Sequence, residues 1–313
     1  MCNNVMNHGF DSETMVLTQS GWKFFSDLTI DDCIATRNKS GYWEYVKPTK
    51  IISSYHSGLL SYWKNSKIDI LVNPERDIWI YDYNKRSVSE RVWKFVRSNI
   101  LHNSVYKFQK VINHRNISGY EYFDISGCFV NRGFYIQEYN SLKFQANSFF
   151  ELLGWFITDG SISYGKNGSG NRLTITQIKE SGRNRIKELL EELSIDFSEY
   201  KTEYRIKSPQ LFNWISNTFY VDKSSKKSYT AFVPRQLINT MSVENLLGFL
   251  KGVIGGDGTK HSKSRGHTIY TASERFANDL VEVALLCGLS AHKTLHKARE
   301  RTFPGRKPSK TRD

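Results

Sequence analysis

Two stretches of the chain, Phe149 to Ile157 and Leu246 to Ile254, are apolar for longer than a strand needs and have the length and content of buried helices. Each contains an interior glycine, Gly154 or Gly252, and each runs into an Asp-Gly pair, Asp159-Gly160 or Asp257-Gly258, with the glycine five residues before the aspartate. A glycine inside a helix costs about 1 kcal/mol relative to alanine, so it needs a reason. Close approach of two helix backbones supplies one. Each aspartate then falls at a helix C-terminus, with the next glycine in a position suited to a left-handed cap. A carboxylate is poorly placed at the negative end of a helix dipole. Two such helices side by side would bring Asp159 and Asp257 together, and paired carboxylates that repel one another form a site for a divalent cation. A single Asp-Gly is a common turn. Two in the same helix-end context, each followed by strand-like sequence and another helix, argue against coincidence.

The same periodicities organise what surrounds these helices. After the first come Ser161 to Tyr164, a glycine-rich loop and Arg172 to Gln177, read as a hairpin. Glu180 to Ser194 is an amphipathic helix with Ile186, Leu189, Leu190 and Leu193 on one face. Phe197 to Tyr200 and Tyr204 to Lys207 form a second hairpin, and Pro209 opens a helix ending at Phe219. After the second apolar helix, Thr259 to Lys263 and His267 to Thr271 read as a hairpin. Ser273 caps a helix ended by Gly288, and Ser290 to His296 reads as one more strand. On this reading the second repeat lacks a fourth strand and a last helix.

Residues 1–145 show short alternating runs separated by turn signals: Thr14 to Thr18, Trp22 to Phe25, Ile34 to Arg37, Lys50 to Ser54, Ile68 to Val72 and Ile78 to Tyr83. This predicts a compact β-domain. Between residues 84 and 116, Lys85, Arg86, Arg91, Lys94, Arg97, Lys107, Lys110 and Arg115 interleave with aromatics such as Trp93. That mixture suits a phosphate backbone, and it equally describes a half-exposed strand or helix.

Composition narrows the function. The chain has 313 residues, 39% of them hydrophobic, so it is globular and suits two domains. Lys and Arg number 44 against 31 Asp and Glu, a formal net charge of +13 that favours a polyanionic partner, ordinarily nucleic acid. Cys2, Cys33, Cys128 and Cys287 form no C-x-x-C pair, which excludes the common zinc and redox motifs and suits a reducing interior. No apolar run reaches the length of a membrane span and no signal core opens the chain. An intracellular location is expected: cytoplasm, nucleoid or a DNA-containing organelle.

The repeated glycine-to-Asp-Gly helices resemble the LAGLIDADG homing endonucleases in their single-chain, two-repeat form. The resemblance implies an α+β chain. Residues 146–313 would be a nuclease domain of two αββαββα repeats (146–240 and 241–313, the second truncated) related by pseudo-twofold symmetry, acting as a monomer on double-stranded DNA. Gly154 and Gly252 would pack the helices. Asp159 and Asp257 would be the catalytic carboxylates and hold Mg²⁺ or Mn²⁺, hard ions suited to oxygen ligands. A lysine assists each half in the family; Lys226 or Lys227 would do so in the first repeat and Lys293 or Lys297 in the second. Base readers in the major groove would come from the sheets: Ser161, Ser163, Arg172, Thr174, Thr176, Tyr204, Arg205, Lys260, His261, Lys263, Arg265 and Tyr270.

Residues 1–145 carry a second resemblance, to the Hint domain of inteins. Asp11 to Trp22 looks like the intein opening, Phe25 to Asp32 like the segment that follows, and Asn73 to Arg76 stands where inteins carry T-x-x-H. The splicing nucleophile position holds Gly9 and the histidine position Arg76, so the resemblance implies a splicing-inactive relic. An unrelated β-domain remains the alternative. For the whole chain the alternatives are a non-cleaving DNA- or RNA-binding protein on the same fold, such as a maturase or regulator, and an inactive endonuclease.

Overall fold

The computed structural model describes residues 9–65, 68–82, 87–101, 106–109, 111, 119–131, 133–165, 170–220, 230–261, 266–296, 300–301 and 309–310. The chain divides into two compact units, Met1–Arg115 with Gly288–Leu295, and Asn116–Cys287 with His296–Asp313. From sequence alone the boundary falls at 145/146; in the structure the division falls at 115/116.

The first unit is built of short strands. β1 (Met15–Thr18), β2 (Gly21–Phe24), β3 (Ile34–Arg37) and β4 (Trp43–Val46) form an antiparallel sheet in the order β2-β1-β3-β4. The β1–β2 turn is tight because Gly21 adopts φ 111° and the buried Thr18 hydroxyl donates to its carbonyl at 2.7 Å. β5 (Ser61–Asn65) pairs with β6 (Ile68–Val72). β7 (Asp77–Asp82) lies between β8 (Trp93–Arg97) and β9 (Tyr106–Phe108). Val72, Ile78, Ile80 and Leu101 form a buried core, with Trp63, Ile70, Val96, Tyr106 and Phe108 packed on it. Lys50 to Ser54 is not a strand. Its apolar pair, Ile51 and Ile52, is exposed and finds no sheet to join.

The second unit opens with two hairpin-like pairs. β10 (Tyr122–Ile125) pairs with β13 (Leu142–Gln145), and β11 (Cys128–Asn131) with β12 (Ile136–Tyr139). Their aromatics seat the next helix. Phe149 stacks on Phe123 and Phe144, with centroids 5.0 and 5.2 Å apart, and meets Trp214 edge-on at 5.6 Å. α1 (Ala146–Asp159) starts where the Gln145 side chain accepts the Ser148 N–H, and Phe149 to Ile157 is buried throughout. It leads directly into β14 (Gly160–Ser163), which pairs with β15 (Arg172–Thr176). α2 (Glu180–Glu192), β16 (Phe197–Glu199), β17 (Glu203–Ile206) and α3 (Pro209–Phe219) follow. The strands form one sheet in the order β14-β15-β17-β16.

The short α4 (Arg235–Thr240) precedes α5 (Val243–Asp257), which opens on a capping box between Ser242 and Asn245. β18 (Gly258–Lys260) pairs with β19 (His267–Ile269), and α6 (Glu274–Leu286) is capped by the buried Ser273 hydroxyl. α6 ends at Leu286, and after the Cys287 cap comes Gly288 at φ 72°, as the sequence suggests. β20 (Glu300–Arg301) and β21 (Ser309–Lys310) form a last short pair.

Two readings of the second repeat change. Ser290 to His296 is not a strand, and those residues are largely exposed. A fourth strand does occur, later in the chain, as β21. Among the described residues the second repeat's strands form two separate pairs, whereas the first repeat's form one four-stranded sheet.

A buried polar network anchors α6. Arg235 donates to both carboxylate oxygens of Glu282, at 2.5 and 2.6 Å, and Glu282 is fully buried. The neighbouring Asp279 accepts the Val233 N–H at 2.8 Å. Burial pushes the Asp279 carboxyl up to about 6, against the pull of the Val233 N–H and of Arg235. A carboxyl raised on folding favours the folded state below its ordinary value and loses that contribution as pH rises through about 6. Asp279→Asn keeps the acceptor and removes the charge. The stability of this variant relative to the parent should therefore rise by about 2–3 kcal/mol between pH 4 and pH 7. Urea unfolding of both proteins across that range measures it; a pH-independent difference would contradict it.

Candidate functional site

α1 and α5 touch along their whole length through glycine. A Cβ built at Gly154 would fall on the carbonyl oxygen of Phe249, 2.8 Å from the Val253 nitrogen and 2.9 Å from the Gly252 Cα. One built at Gly252 would fall on the carbonyl oxygen of Glu151, 2.8 Å from the Trp155 nitrogen. The contact is reciprocal and made by backbone. Gly248 continues it toward the helix starts, where a Cβ would lie 2.9 Å from the Asn147 carbonyl oxygen. At the other end, Gly255 lies under the Trp155 indole and Gly256 against the Thr158 hydroxyl.

This packing delivers the two acids. Asp159 and Asp257 are the last helical residues of α1 and α5. Asp159 Oδ2 lies 3.1 Å from where a Cβ of Gly256 would sit, so its carboxylate rests against the backbone next to Asp257. Asp159 is half-buried and Asp257 exposed. The glycines after them do not adopt the expected left-handed cap. Gly160 has φ −85° and ψ 156°, Gly258 φ −80° and ψ 137°, and each starts a strand at once. They are glycine for space: a Cβ at Gly160 would meet the Phe156 carbonyl oxygen and ring, and one at Gly258 the Ile254 carbonyl oxygen.

Gln177, absent from the sequence-based candidates, completes the first half. Its Nε2 donates to Asp159 Oδ2 at 2.8 Å, while its Oε1 accepts the N–H groups of Ile178 and Lys179 at 2.9 Å. The amide is thereby fixed in orientation and is 6% exposed. The sequence carries a signal for it: Leu173 and Ile175 point to the core along β15, and Gln177 is a polar residue in that apolar phase.

Glu151 is a second such residue, charged inside the apolar run yet buried. It accepts Arg185 through both oxygens at 2.9 Å and Lys251 at 2.8 Å. Burial would raise its carboxyl, but hydrogen bonds from Arg185 and Lys251 outweigh burial and hold it below the usual range. One carboxylate thus ties α1, α2 and α5 together behind the helix tips.

The four-stranded sheet sorts the candidate base readers. Pairing puts Ser161, Ser163, Arg172, Thr174, Thr176 and Arg205 on one face, with Leu173, Ile175, Tyr204 and Ile206 on the other. Tyr204 is therefore no base reader: it is 1% exposed, and its hydroxyl donates to the Arg183 carbonyl. Thr174 shares the outer face but is nearly covered by its neighbours. Arg205 is held by Glu203 at 2.6 Å, with its guanidinium 4.1 Å from the Tyr200 ring centre. In the second repeat Lys260, His261 and Tyr270 are exposed. Lys260 and His261 alternate to opposite faces, and the His261 ring lies 2.7 Å from the Thr268 hydroxyl. Lys293 is exposed in Gly288–Leu295, which belongs to the first unit and not to the unit that carries the aspartates. Lys85, Arg86, Lys110, Arg115, Lys226, Lys227, Lys263, Arg265 and Lys297 lie outside the described residues.

The glycine-packed helices and their terminal acids coincide with a family match. The model described as "LAGLIDADG-like domain" matches residues 149–235 and 244–306. These two segments are similar to that domain. The matched segments begin within α1 and α5 and include the C-terminal ends of both helices, with Asp159 and Asp257.

Among curated proteins, an ATP-dependent Clp protease proteolytic subunit from Chlamydomonas moewusii is 23% identical over 303 residues, covering 90% of this chain and 28% of that protein. Among solved structures, the homing endonuclease I-DmoI in complex with DNA and Mn is 20% identical, covering 37% of this chain and 64% of that one, at a TM-score of 0.26. A structure of mesophilic I-DmoI variants is 21% identical, covering 37% and 63%, also at 0.26. The chain thus spans under a third of the first relative's length and under two thirds of the others'. Among the described residues no helix is long and apolar enough to cross a membrane.

Proposed function

We propose that the chain is a site-specific, divalent-metal-dependent DNA endonuclease in which Asp159 and Asp257 are the metal-holding and catalytic carboxylates. The observation that carries this reading is the reciprocal Gly154–Gly252 contact, which leaves the Asp159 carboxylate against the backbone beside Asp257. The donor chemistry fits Mg²⁺ or Mn²⁺: the two acids offer carboxylate oxygens, and among the described residues they are too few to enclose an ion. Among the described residues no group of three or more His, Cys, Asp or Glu could hold a metal, so scissile phosphates and water would supply the other ligands. When bound, the ion supplies charge neutralisation and an activated water for in-line displacement.

The protein's own part is positional. Gln177 fixes the orientation of Asp159 Oδ2. The outer face of the β14-β15-β17-β16 sheet presents Ser161, Ser163, Arg172, Thr176 and Arg205, donors and acceptors suited to base edges in a major groove, and cations suited to phosphates. The two αββα runs around touching helices support a pseudo-twofold site acting on both strands, by a monomer on double-stranded DNA.

Gln177→Met should lower metal-dependent cleavage by about 10- to 100-fold, the usual cost of losing an outer partner of a metal ligand, and leave duplex affinity unchanged. Cleavage rates and gel-shift affinities measured together test this. Equal losses in both would point to a structural role instead.

The first unit we read as Hint-like and splicing-inactive. An antiparallel bridge joins Phe10 to Val72, and the Asn73 N–H donates to the Gly9 carbonyl at 3.1 Å, so positions matching the two splicing motifs are neighbours. Gly9 offers no nucleophilic atom there. The match of 90% of this chain to 28% of a longer Clp protease subunit supports a module in which both units travel together within a larger reading frame.

A further inference from the structure

One sheet face in the first unit departs from the usual polar outer pattern. β7, β8 and β9 bury Ile78, Ile80, Val96, Tyr106 and Phe108 in the core. Strand alternation sends Trp79, Tyr81, Trp93 and Phe95 to the opposite face. An antiparallel sheet with one buried face ordinarily carries polar side chains on the other. Here Phe95 is 66% exposed and Trp93 39%. Trp79 lies 4.7 Å from Phe95 and 6.1 Å from Trp93, with the two indole planes 13° apart, and Tyr81 lies 5.5 Å from Trp93. The rings make one continuous platform across two strands.

Cations frame it. The Arg37 guanidinium stands 5.4 Å from the Trp79 ring centre. Arg97 is exposed on the same face of β8, and Lys107 is exposed opposite Tyr81 on β9. The face also holds one acid of β7, Asp77, in register with Arg97. Asp82, at the end of β7, points to the inner face and pairs with Lys94 at 2.8 Å.

We propose that this face binds single-stranded nucleic acid, with bases stacked on Trp79, Trp93 and Phe95 and phosphates met by Arg37, Arg97 and Lys107. Exposed rings beside cations on a sheet are the components of a stacking platform with a backbone track. Duplex DNA is the wrong occupant, because its bases are already stacked on one another and offer the rings no free face. An apolar protein surface would leave the framing cations unmatched, whereas a polyanion complements both them and the chain's net charge of +13. The platform lies wholly in the first unit and does not rest on the nuclease reading.

The test uses the full chain and two fluorescein-labelled probes, an oligo(dT) of about 15 nucleotides and a duplex of the same length, followed by anisotropy at two salt concentrations. The expected result is salt-sensitive dT binding that quenches tryptophan fluorescence. Trp93→Ala with Phe95→Ala should weaken dT binding by at least about tenfold and leave duplex affinity unchanged. Phe95→Ser alone removes a ring that is mostly in water, leaves the fold intact and should weaken dT binding about fivefold or more. Unchanged dT affinity in both variants would overturn the proposal. So would equal loss of dT and duplex binding in the Phe95→Ser protein, or no dT binding by the unaltered chain, which would leave the face to a protein partner.

Discussion

Alanine at Gly154 or at Gly252 is expected to lower the unfolding free energy of the second unit by about 3 kcal/mol or more, at the upper end of overpacking costs. A Cβ at either position would meet the backbone of the facing helix, which cannot rotate away as a side chain could. The helices must separate, and separation loosens every contact between them, including that of Gly256 with Thr158 and Asp159. The two substitutions should not be additive: once one Cβ has opened the gap, the second enters space already made. Gly9→Ala is the control. Nothing lies within 4 Å of its Cβ position, so it should change stability by less than about 0.5 kcal/mol. Denaturant midpoints of the parent, the two single variants, their double variant and the Gly9→Ala control decide the matter. A Gly154→Ala protein as stable as the parent would mean that the helices do not meet through their backbones.

The helix pair is legible in the sequence because its signal is local and repeated: an interior glycine that no isolated helix would tolerate cheaply, at fixed spacing from a carboxylate. The wider glycine seam through Gly248, Gly255 and Gly256 is not, because glycine near a helix end also reads as punctuation. The left-handed caps expected at Gly160 and Gly258 fail for the same reason. Both glycines are needed for clearance against the carbonyl four residues earlier, and a pattern of residue types does not distinguish clearance from a turn. Tyr204 reads as a candidate because two faces of a strand are equivalent until pairing with β15 fixes which one is wet. Gln177, Glu151 and Glu282 share a usable signal, a polar residue in an apolar phase, whose partners come from distant segments that periodicity cannot supply. In the first unit β4, β5, β8 and β9 escape the pattern because short mixed runs such as Trp43–Val46 alternate too briefly to stand out.

The second large effect falls on chemistry rather than stability. Asp159→Asn and Asp257→Asn preserve side-chain size and the capacity to accept Gln177 or solvent, but remove the negative charge that a hard cation requires. Metal charge stabilisation of a phosphoryl transition state amounts to several kcal/mol, so each substitution should slow cleavage by about a thousandfold or more. Duplex affinity should hold or rise, because two carboxylates no longer face the phosphates. That combination, lost cutting with retained binding, separates a chemical role for the acids from a structural one.

The most direct measurement works without a known target site. A pool of random-sequence duplexes is incubated with the chain and Mg²⁺ or Mn²⁺, and newly formed ends are sequenced beside a reaction with the Asp159→Asn, Asp257→Asn double variant. Ends clustered at one recurring sequence, dependent on the metal and absent with the variant, are the expected result. A double variant that produces the same ends at the same rate would contradict the assignment of catalysis to these two carboxylates.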